Sequence, residues 1–517
     1  MIYYKYKCSM YSRILFVLDF VRRFFVRCAK IFEAYAVRTL MKFGCDWRKI
    51  SHKSKCKKDS KSTSITMEVF IMAKKLNLND YLGHNMNCTC GEEHKTNLKI
   101  VDIDKNAVAR LPKHIETLGY KNPFLVADVN TWDAAGTQVT KELEDSGISY
   151  KKYIFKDKEL VPDEKTLGSL MMAFPRDCDI IIAIGSGTLN DLCKFSSFQL
   201  GLDYMVFATA PSMDGFVSIG AALITDYVKT TYQAHVPLAV IGDTDILAAA
   251  PMEMITAGLG DILGKYTCLL DWKMAHIITG EYYCKTIADM VKEAVEIVVE
   301  ESTRIKDRNP EAIKAVTEAL VLSGIAMSFV GNSRPASGSE HHLSHYWEMK
   351  FQAEGKKPVL HGIKVGIGMI IVTKMYEMLE QEHFNFTSLK ERSFDYAAWE
   401  KKVNDCYQDA APGIIALEEK TQKNNLSERN KRLTILEEKW SEIVQTIRES
   451  LPSSAEMESL LSCLGAPTKP AQIGISPQLV EDAILLAKEV RNRFTLLQIL
   501  WDTGLSESYA KTIANLH

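Results

Sequence analysis

The chain has 517 residues, of which 46% are hydrophobic and 25% are charged, and its formal net charge is −2. This composition is ordinary for a globular protein, and the length predicts two or three domains with a sizeable core. The 12 cysteines are too sparse for a disulfide scaffold, which indicates reduced thiols in a cytoplasmic protein.

The first 66 residues differ from the rest in charge. They carry 16 Lys/Arg against 4 Asp/Glu, a net charge of +12, so that the remainder carries −14. Asp19 and several arginines interrupt the apolar run well short of the ~18 residues that a spanning helix needs, and no small-residue cleavage site of a signal peptide follows. One interpretation is a basic amphipathic helix on a membrane surface. We favour a disordered or mis-assigned leader ahead of a true start at Met67 or Met72.

The acidic remainder argues against nucleic acid as a partner, and we expect no stable membrane insertion. From Lys99 to about Ala250 strands and helices alternate. Strands are predicted in KNPFLVADVNT, SYKKYIF, DIIIAIGSGTLND and LDYMVFATAPS, and helices in AAGTQVTKELEDSG and TLGSLMMAF. Such alternation predicts right-handed crossovers and a mostly parallel sheet.

After Pro251 the apolar residues recur at helical spacing, as in MVKEAVEIVVEESTRI and PEAIKAVTEALVLSGIAMSF, and strand signals largely vanish. The sequence therefore predicts an α/β domain over residues 72–250, followed by an all-helical domain over residues 251–517.

A glycine-rich turn, GSGTLND (residues 185–191), follows a buried strand and precedes a helix. Glycines let a backbone approach a phosphate, and a helix N-terminus favours an anion. Asn190 stands where the third glycine of G-x-G-x-x-G would be, so the signal is weak alone. Asp128 ends another strand, where it either accepts hydrogen bonds from an adenosine ribose or caps the following helix. A third strand end, TAPSMDGFVS (residues 209–218), is rich in small hydroxylic residues around Asp214.

Three histidines occur in and after SRPASGSEHHLSHYWEM (residues 333–349). His341 and His345 are four residues apart and would share one face of a helix, and His361 follows. Asp261 comes after a glycine pair, where it either caps a helix or binds a metal. Together with His341 and His361 it forms an Asp/His/His set that suits Zn²⁺ or another divalent transition ion and leaves coordination positions for a substrate. His342 occupies the glutamate position of H-E-x-x-H, which excludes a metalloprotease.

A second metal interpretation concerns NCTCGEEH, in which Cys88 and Cys90 lie close to His94. The single residue between the cysteines differs from the usual C-x₂-C of zinc sites. We therefore do not expect a structural metal ion there from the sequence.

The motifs GSGTLND, TAPSMDGFVS, AGLGDILGKYT, SRPASGSEHHLSHYWEM and LHGIKVGIG, in this order and spacing, resemble those of the bacterial sn-glycerol-1-phosphate dehydrogenases. These enzymes belong to the superfamily of iron-containing alcohol dehydrogenases, glycerol dehydrogenases and dehydroquinate synthase-like proteins. The resemblance runs from about Met72 to the C-terminus and includes NCTCGEEH, but not the basic leader. It implies a dehydroquinate synthase-like fold, in which an α/β dinucleotide-binding domain precedes an all-helical metal- and substrate-binding domain.

The resemblance also implies reversible reduction of dihydroxyacetone phosphate to sn-glycerol 1-phosphate with NAD(H) or NADP(H), one divalent ion (Zn²⁺ or Ni²⁺), and a cytoplasmic homodimer. It makes Asp261, His341 and His361 the metal ligands. Asp214, Asp261 and His345 would contact the substrate, and Asp261 and His345 would carry the catalysis. The implied dinucleotide site consists of Asp128, Gly185, Ser186, Gly187, Thr188, Leu189, Thr209, Ala210, Pro211, Ser212 and Ser218. Ser186 and Leu189 are mild departures from the family pattern that leave the phosphate geometry open.

Several alternatives stay open at this point. Asp128 would repel a 2′-phosphate and favour NAD, whereas nearby lysines would offset that preference. The proton comes either from His345 or from an ordered water, and Arg334 and Lys364 are either phosphate ligands or surface charges. A related polyol dehydrogenase or a dehydroquinate synthase-like lyase is the main alternative function, against which SGSEHHLSH argues. A non-catalytic phosphate- or metal-binding protein is the minor one.

Overall fold

A computed structural model describes residues 76–83, 86, 88–225 and 228–516, and the side chains of Val228 and Lys229 are outside the description. The predicted leader at residues 1–66 lies outside the described residues. The strands within these described residues are β1 Ile100–Asp104, β2 Pro123–Asp128, β3 Lys151–Phe155, β4 Ile180–Gly185, β5 Asp203–Ala208, β6 Gly220–Thr225, β7 Val228–Gln233 and β8 Ala239–Asp243. Six of them form a parallel sheet in the order β1-β8-β5-β4-β2-β3, and β6 and β7 form an antiparallel hairpin.

The helices of the α/β part cover both faces of this sheet. They are α1 Leu111–Leu118, α2 Val129–Thr131, α3 Thr137–Asp145, α4 Glu164–Ala173 and α5 Gly187–Leu200, with a π-helical turn between α2 and α3. The inner strands β2 and β4 are buried along their whole length. Leu125 and Ile182 pack in one apolar cluster with Ile115, whereas Val126 and Ile181 belong to another. Burial on both faces explains the continuous apolar runs.

From Thr244 to Leu516 the described chain is mostly helical. Its α-helices are α6 Thr244–Ala249, α7 Met252–Leu263, α8 Lys265–Thr279, α9 Lys285–Ile305, α10 Pro310–Val330, α11 Ser339–Ala353, α12 His361–Leu379, α13 Phe386–Lys390, α14 Tyr396–Tyr407, α15 Ala411–Thr421, α16 Leu426–Ser450, α17 Ser454–Cys463, α18 Pro477–Leu486, α19 Leu496–Thr503 and α20 Ser506–Leu516. The predicted fold class, a mostly parallel α/β part followed by a helical part, is confirmed. The hairpin β6–β7 is an element that the sequence analysis did not predict. The described residues belong to one contact unit, Ala73–His517, so a domain division at residue 250 stays a prediction.

Glycines let α7 and α12 approach each other at backbone distance. A Cβ atom on Gly362 would lie 1.8 Å from the carbonyl oxygen of Ala257, and one on Gly260 would lie 2.3 Å from the carbonyl oxygen of Gly362. Side chains at these positions would therefore force the two helices apart. The close approach brings the end of α7, which carries Asp261, to the start of α12, which carries His361.

Among the described residues, α10 is the one helix long and apolar enough to cross a membrane, yet 78% of its most apolar 18-residue window is buried inside the protein. Its residues pack against α9 and α7 and belong to the largest apolar cluster. Burial against other helices explains its composition, since a helix that is hydrophobic all round belongs in a core as well as in a membrane.

Candidate active site

The first part of the site lies at the carboxyl ends of β4 and β5, which are neighbours in the sheet. The Thr209 backbone N–H donates to the carbonyl oxygen of Gly185 over 3.2 Å, which joins the two strand ends. Ser186 Oγ donates to the carbonyl oxygen of Ala210 and lies 2.6 Å from Ser212 Oγ. The predicted dinucleotide residues from these two motifs are thus brought together at one edge of the sheet, where ligands of parallel α/β folds bind.

The start of α5 is shaped for close contact. A Cβ atom on Gly185 would lie 2.4 Å from Leu189 Cδ1 and 2.9 Å from Leu189 Cβ, so a side chain here would displace Leu189 at the start of the helix. Ser186, the N-cap residue, makes no side-chain hydrogen bond to the first turn that contains Thr188 and Leu189. The first N–H groups of a helix have no partner within it and favour an anion.

Asp128 ends β2, the other neighbour of β4. Its Oδ1 accepts a hydrogen bond from the Thr131 N–H over 2.8 Å, and Thr131 Oγ1 accepts one in return from the Asp128 N–H. The capping role that the sequence left open is therefore present. A contact with a ribose stays a prediction.

The loop after β5 connects this edge to the helical part. The Asp214 backbone N–H donates to Asp261 Oδ2 over 3.0 Å, and Ser323 Oγ donates to Asp214 Oδ2 over 2.9 Å. At the end of the same loop, Ser218 Oγ accepts a hydrogen bond from Lys194 Nζ over 2.9 Å. The loop that carries the predicted dinucleotide residues Thr209 and Ser218 therefore also carries Asp214, which contacts the predicted metal ligand Asp261.

Lys265, a buried lysine that was not predicted from the sequence, contacts the carboxylates of both Asp214 and Asp261. Lys265 Nζ lies 2.7 Å from Asp214 Oδ2 and 2.9 Å from Asp261 Oδ1, and it donates to the carbonyl oxygen of Ala336 over 3.0 Å. Burial alone would lower the pKa of Lys265, but Asp214 and Asp261 raise it above its ordinary value. Its position one helical turn after Asp261 was the available signal, since residues four apart share a face.

The three predicted metal ligands meet in space. One ligand atom each from Asp261, His341 and His361 lies within 4.8 Å of the other two. His341 Nε2 lies 3.6 Å from Asp261 Oδ1, and the rings of His341 and His361 are 5.1 Å apart between centroids. Asp261 and His341 are buried, and His361 is partly exposed. One carboxylate and two imidazoles suit Zn²⁺ and similar ions and leave a coordination position for a substrate.

Glu340, also missed from the sequence, orients His341. Its Oε1 accepts a hydrogen bond from His341 Nδ1 over 2.7 Å and another from the Gly338 N–H, while its Oε2 accepts one from Thr267 Oγ1. This arrangement directs Nε2 of His341 toward Asp261. A carboxylate on the far nitrogen of a histidine is the usual support of a metal ligand.

The charges around this cluster also fit a divalent cation. Burial opposes ionisation of Asp261 and Glu340. Lys265 and then His341 nevertheless hold the pKa of Asp261 below its ordinary value, and His341 does the same for the pKa of Glu340. Asp214 and Asp261 share the single ammonium of Lys265, and Glu340 contacts the imidazole of His341, so the group holds three carboxylates and one ammonium. Nearby, burial first and Glu340 second raise the pKa of Asp271 to about 6. Uncompensated buried charge is costly, so a doubly charged ion would suit this group.

His345 lies beside the cluster, with its ring 5.5 Å from that of His361. His345, Glu348 and His361 also each have a ligand atom within 4.8 Å of one another. Burial, and next the charge of Arg491, lower the pKa of His345 to about 3. The imidazole is therefore neutral at pH 7, and Arg491 NH2 lies 3.4 Å from its Nε2.

Two arginines from the segment before α19 add positive charge on this side of the site. Arg491 contacts His345, and Arg493 donates to the carbonyl oxygens of Ser333 and Ser337. Burial lowers the pKa of both guanidinium groups, and for Arg493, after burial, the charge of Arg491 lowers it further, to about 9. Neighbouring cations of this kind attract an anion. Nothing in RNRF marked them in advance, because their proximity to His345 arises only in the folded chain.

The two phosphate candidates from the sequence are both buried rather than on the surface. Arg334 makes paired hydrogen bonds to the carboxylate of Glu281 and donates to the carbonyl oxygen of Phe494. Lys364 Nζ donates to the carbonyl oxygen of Val359 over 2.8 Å and lies 3.5 Å from Glu348 Oε1. Arg334 thus forms a structural ion pair with Glu281. Lys364 lies near Glu348, which is itself close to His345 and His361.

Comparison with known proteins is consistent with this geometry. Residues 102–251 match the family model of iron-containing alcohol dehydrogenases. The chain is 33% identical over 417 residues to a glycerol-1-phosphate dehydrogenase [NAD(P)+] of Halalkalibacterium halodurans, covering 80% of this chain and 95% of that one. It is 34% identical over 418 residues to the protein of that name from Geobacillus stearothermophilus, with the same two coverages.

Solved structures with the same fold are more distant in sequence. A glycerol dehydrogenase from Schizosaccharomyces pombe aligns with a TM-score of 0.53 at 15% identity, covering 82% of this chain and 93% of that one. An alcohol dehydrogenase from Oenococcus oeni aligns with a TM-score of 0.54 at 14% identity, covering 81% and 98%. At these identities the likeness concerns the fold alone.

Proposed function

Because the chain belongs to the family of glycerol-1-phosphate dehydrogenases [NAD(P)+], which are oxidoreductases, we propose that it reduces dihydroxyacetone phosphate reversibly to sn-glycerol 1-phosphate with the help of a divalent metal ion. The observation that carries the proposal is the buried cluster of Asp261, His341 and His361, with its deficit of positive charge, between a dinucleotide-type sheet edge and two arginines.

The reaction adds a hydride from NAD(P)H to the ketone carbon and a proton to its oxygen, giving NAD(P)+ and the secondary alcohol. Asp261, His341 and His361 would hold the metal ion, which, when bound, supplies Lewis-acid stabilisation of negative charge on that oxygen worth several kcal/mol. Lys265 keeps Asp261 ionised and in place, and Glu340 keeps the imidazole of His341 in the tautomer with Nε2 available.

The dinucleotide would bind along the carboxyl edge of the sheet. The open first turn of α5, which contains Thr188 and Leu189, would take the pyrophosphate, and Asp128 would face a ribose. The loop of Thr209–Ser218 would lie under the nicotinamide half, because its Asp214 contacts Asp261 directly. This arrangement would set the hydride donor against the cluster, which is the protein's part in nicotinamide chemistry.

The phosphate of the substrate would lie toward Arg491 and Arg493. Charge-assisted hydrogen bonds from arginine to phosphate are strong and directional. His345, in contact with Arg491 through Nε2, would lie against the substrate between the phosphate and the reacting carbon. Asp214 would contact the hydroxyl end from the other side.

The test is product analysis with the full chain, NADH or NADPH, and dihydroxyacetone phosphate. Enzymes specific for each enantiomer of glycerol phosphate then read the stereochemistry of the product. The proposal predicts the sn-1 enantiomer. Formation of the sn-3 enantiomer, or turnover with glycerol-type polyols only, would overturn it and favour the related polyol dehydrogenases.

A further inference from the structure

A second cluster of metal-ligating side chains lies outside the candidate active site. Cys88, Cys90 and His94 come from the segment before β1, and Cys284 is the N-cap residue of α9, about 190 residues later. One ligand atom from each of the four lies within 4.8 Å of the others. The sequence offered only the first three, at an unusual spacing, because the fourth is brought in by the fold.

The distances are close to those of a tetrahedral metal site. Cys88 Sγ lies 3.4 Å from Cys284 Sγ, and His94 Nε2 lies 3.1 Å from Cys90 Sγ and 3.6 Å from Cys284 Sγ. Zn–S bonds of about 2.3 Å and Zn–N bonds of about 2.0 Å in a tetrahedron imply ligand separations of roughly 3.5 to 3.8 Å. The four atoms therefore need to move by only a few tenths of an ångström along these edges.

The imidazole of His94 is held as a metal ligand usually is. Its Nδ1 lies 3.3 Å from the carbonyl oxygen of Phe329 in α10, and the ring is fully buried. A hydrogen bond from Nδ1–H to that carbonyl leaves the lone pair of Nε2 facing the sulfur atoms. A backbone carbonyl on the second nitrogen is a recurrent feature of zinc-bound histidines.

Further polar groups surround the sulfur atoms. Tyr282 Oη lies 3.3 Å from Cys90 Sγ, and Thr286 Oγ1 lies 3.4 Å from Cys88 Sγ. Gly91, with φ of +92°, lets the chain turn between Cys90 and His94. Two hydroxyl groups can thus donate to thiolates, and the loop has the tight curvature that places both its cysteines and its histidine around one point.

We propose that Cys88, Cys90, His94 and Cys284 form a structural Zn²⁺ site that ties the segment before β1 to the start of α9. Three thiolates and one imidazole close the coordination shell, so this ion takes no part in the hydride transfer. Binding releases the protons of the three thiols. This site shares no ligand with the cluster of Asp261, His341 and His361, so the proposal can be tested independently of the proposed function.

The test is Co²⁺ replacement in the full chain, purified under reducing conditions and stripped of metal. Tetrahedral thiolate ligation gives sulfur-to-cobalt charge-transfer absorption, which a site of one carboxylate and two imidazoles does not give. We expect this absorption in the fully Co²⁺-loaded wild type and a clear decrease in C90S and C284S, because each variant removes one of the three thiolates. C463S changes an exposed cysteine outside the cluster and should keep the full intensity. D261N should keep it as well, which separates the two metal sites.

The wild-type measurement decides the matter even where a cysteine variant fails to fold. Absence of the charge-transfer absorption from the Co²⁺-loaded wild type would overturn the proposal. So would the absorption spectrum of an iron–sulfur cluster in the purified protein, or a Cys88–Cys284 disulfide found by mass spectrometry after purification with reductant.

Discussion

The carboxyl edge of the sheet lies next to the cluster of Asp261, His341 and His361, but different chemical groups form these two regions. At the sheet edge the chemistry is carried by backbone groups and by small side chains, as at Gly185, Ser186 and Thr209. In the cluster it is carried by buried charges, as at Asp261, Lys265 and Glu340. This difference predicts how each region should respond to amino-acid substitution. A backbone site tolerates substitution wherever the strand ends stay in place, whereas buried charges depend on one another.

The largest effect is expected from the cluster itself. D261N should lose the metal ion and lower kcat/KM by about 10³-fold or more, because several kcal/mol of transition-state stabilisation depend on the ion. Metal content by mass spectrometry and initial rates of NAD(P)H oxidation measure both effects. H342Q is the matched control for metal content, since His342 lies next to His341 but outside the ligand group. Full metal occupancy in D261N would contradict the assignment.

The second prediction concerns mutual dependence of the buried charges. K265M should lower the free energy of unfolding by about 3–5 kcal/mol, because it leaves Asp214 and Asp261 without their shared cation. Added Zn²⁺ should recover part of that loss by supplying positive charge. The control K141M removes an exposed ion pair with Asp145, which should change the free energy of unfolding very little. Urea unfolding measures the loss of unfolding free energy in each variant. Equal losses in K265M and K141M would contradict the mutual dependence of the buried charges.

The arginine beside His345 gives a third, substrate-specific effect. R491M should raise KM for dihydroxyacetone phosphate by about 10- to 100-fold, since a hydrogen bond to a charged group contributes about 1.5–3 kcal/mol. Rates with unphosphorylated dihydroxyacetone are the internal control, and they should change little. An equal decrease for both substrates would indicate a structural role for Arg491 instead of a phosphate contact.

Adding one methyl group at Gly362 tests the close packing of α7 against α12. G362A places a Cβ atom against the Ala257 carbonyl and should cost about 1–3 kcal/mol of stability, with weaker metal binding because His361 moves. G413A is the matched control, since a Cβ there meets nothing within 4 Å and should be neutral or slightly stabilising. Calorimetric Tm values and metal titrations distinguish the two. An unchanged Tm in G362A would refute the close approach.

The smallest effect on stability is expected for the ion pair of Asp102 in β1 with Arg110, outside the metal-ligand cluster. Burial raises the pKa of Asp102, but hydrogen bonds from Arg110 and then His114 outweigh it and lower the pKa to about 2. Because the folded pKa is below the unfolded one, the stabilisation is present above pH 4 and is lost as pH falls toward 2. D102N should therefore cost about 1–2 kcal/mol at pH 7, allowing for partial solvent screening.

The pH dependence supplies the check on that prediction. The difference in unfolding free energy between the wild type and D102N should be constant from pH 8 to pH 5 and should shrink below pH 4. Urea titrations over this range measure it. A difference that shrinks between pH 8 and pH 5 would mean that another group, not Asp102, is responsible.

The same contrast explains what could be predicted from the sequence. Strand and helix periodicity gave the parallel sheet and the helical part, and the short motifs marked Gly185, Asp261 and His341. Lys265 and Glu340 each lie within one turn of a predicted ligand and were in principle accessible. Arg491 and Cys284 were not, because Arg491 meets His345 across 146 residues of chain and Cys284 meets Cys88 across 196.

The central claim is that a divalent ion at Asp261, His341 and His361 is required for reduction of dihydroxyacetone phosphate. The most direct measurement is NADH oxidation with this substrate by the full chain after metal removal, and again after titration with Zn²⁺ or Ni²⁺. The account predicts negligible turnover in the stripped protein and recovery that follows occupancy of the site, with no recovery in D261N. Equal turnover before and after metal removal, in protein shown to be metal-free, would contradict it.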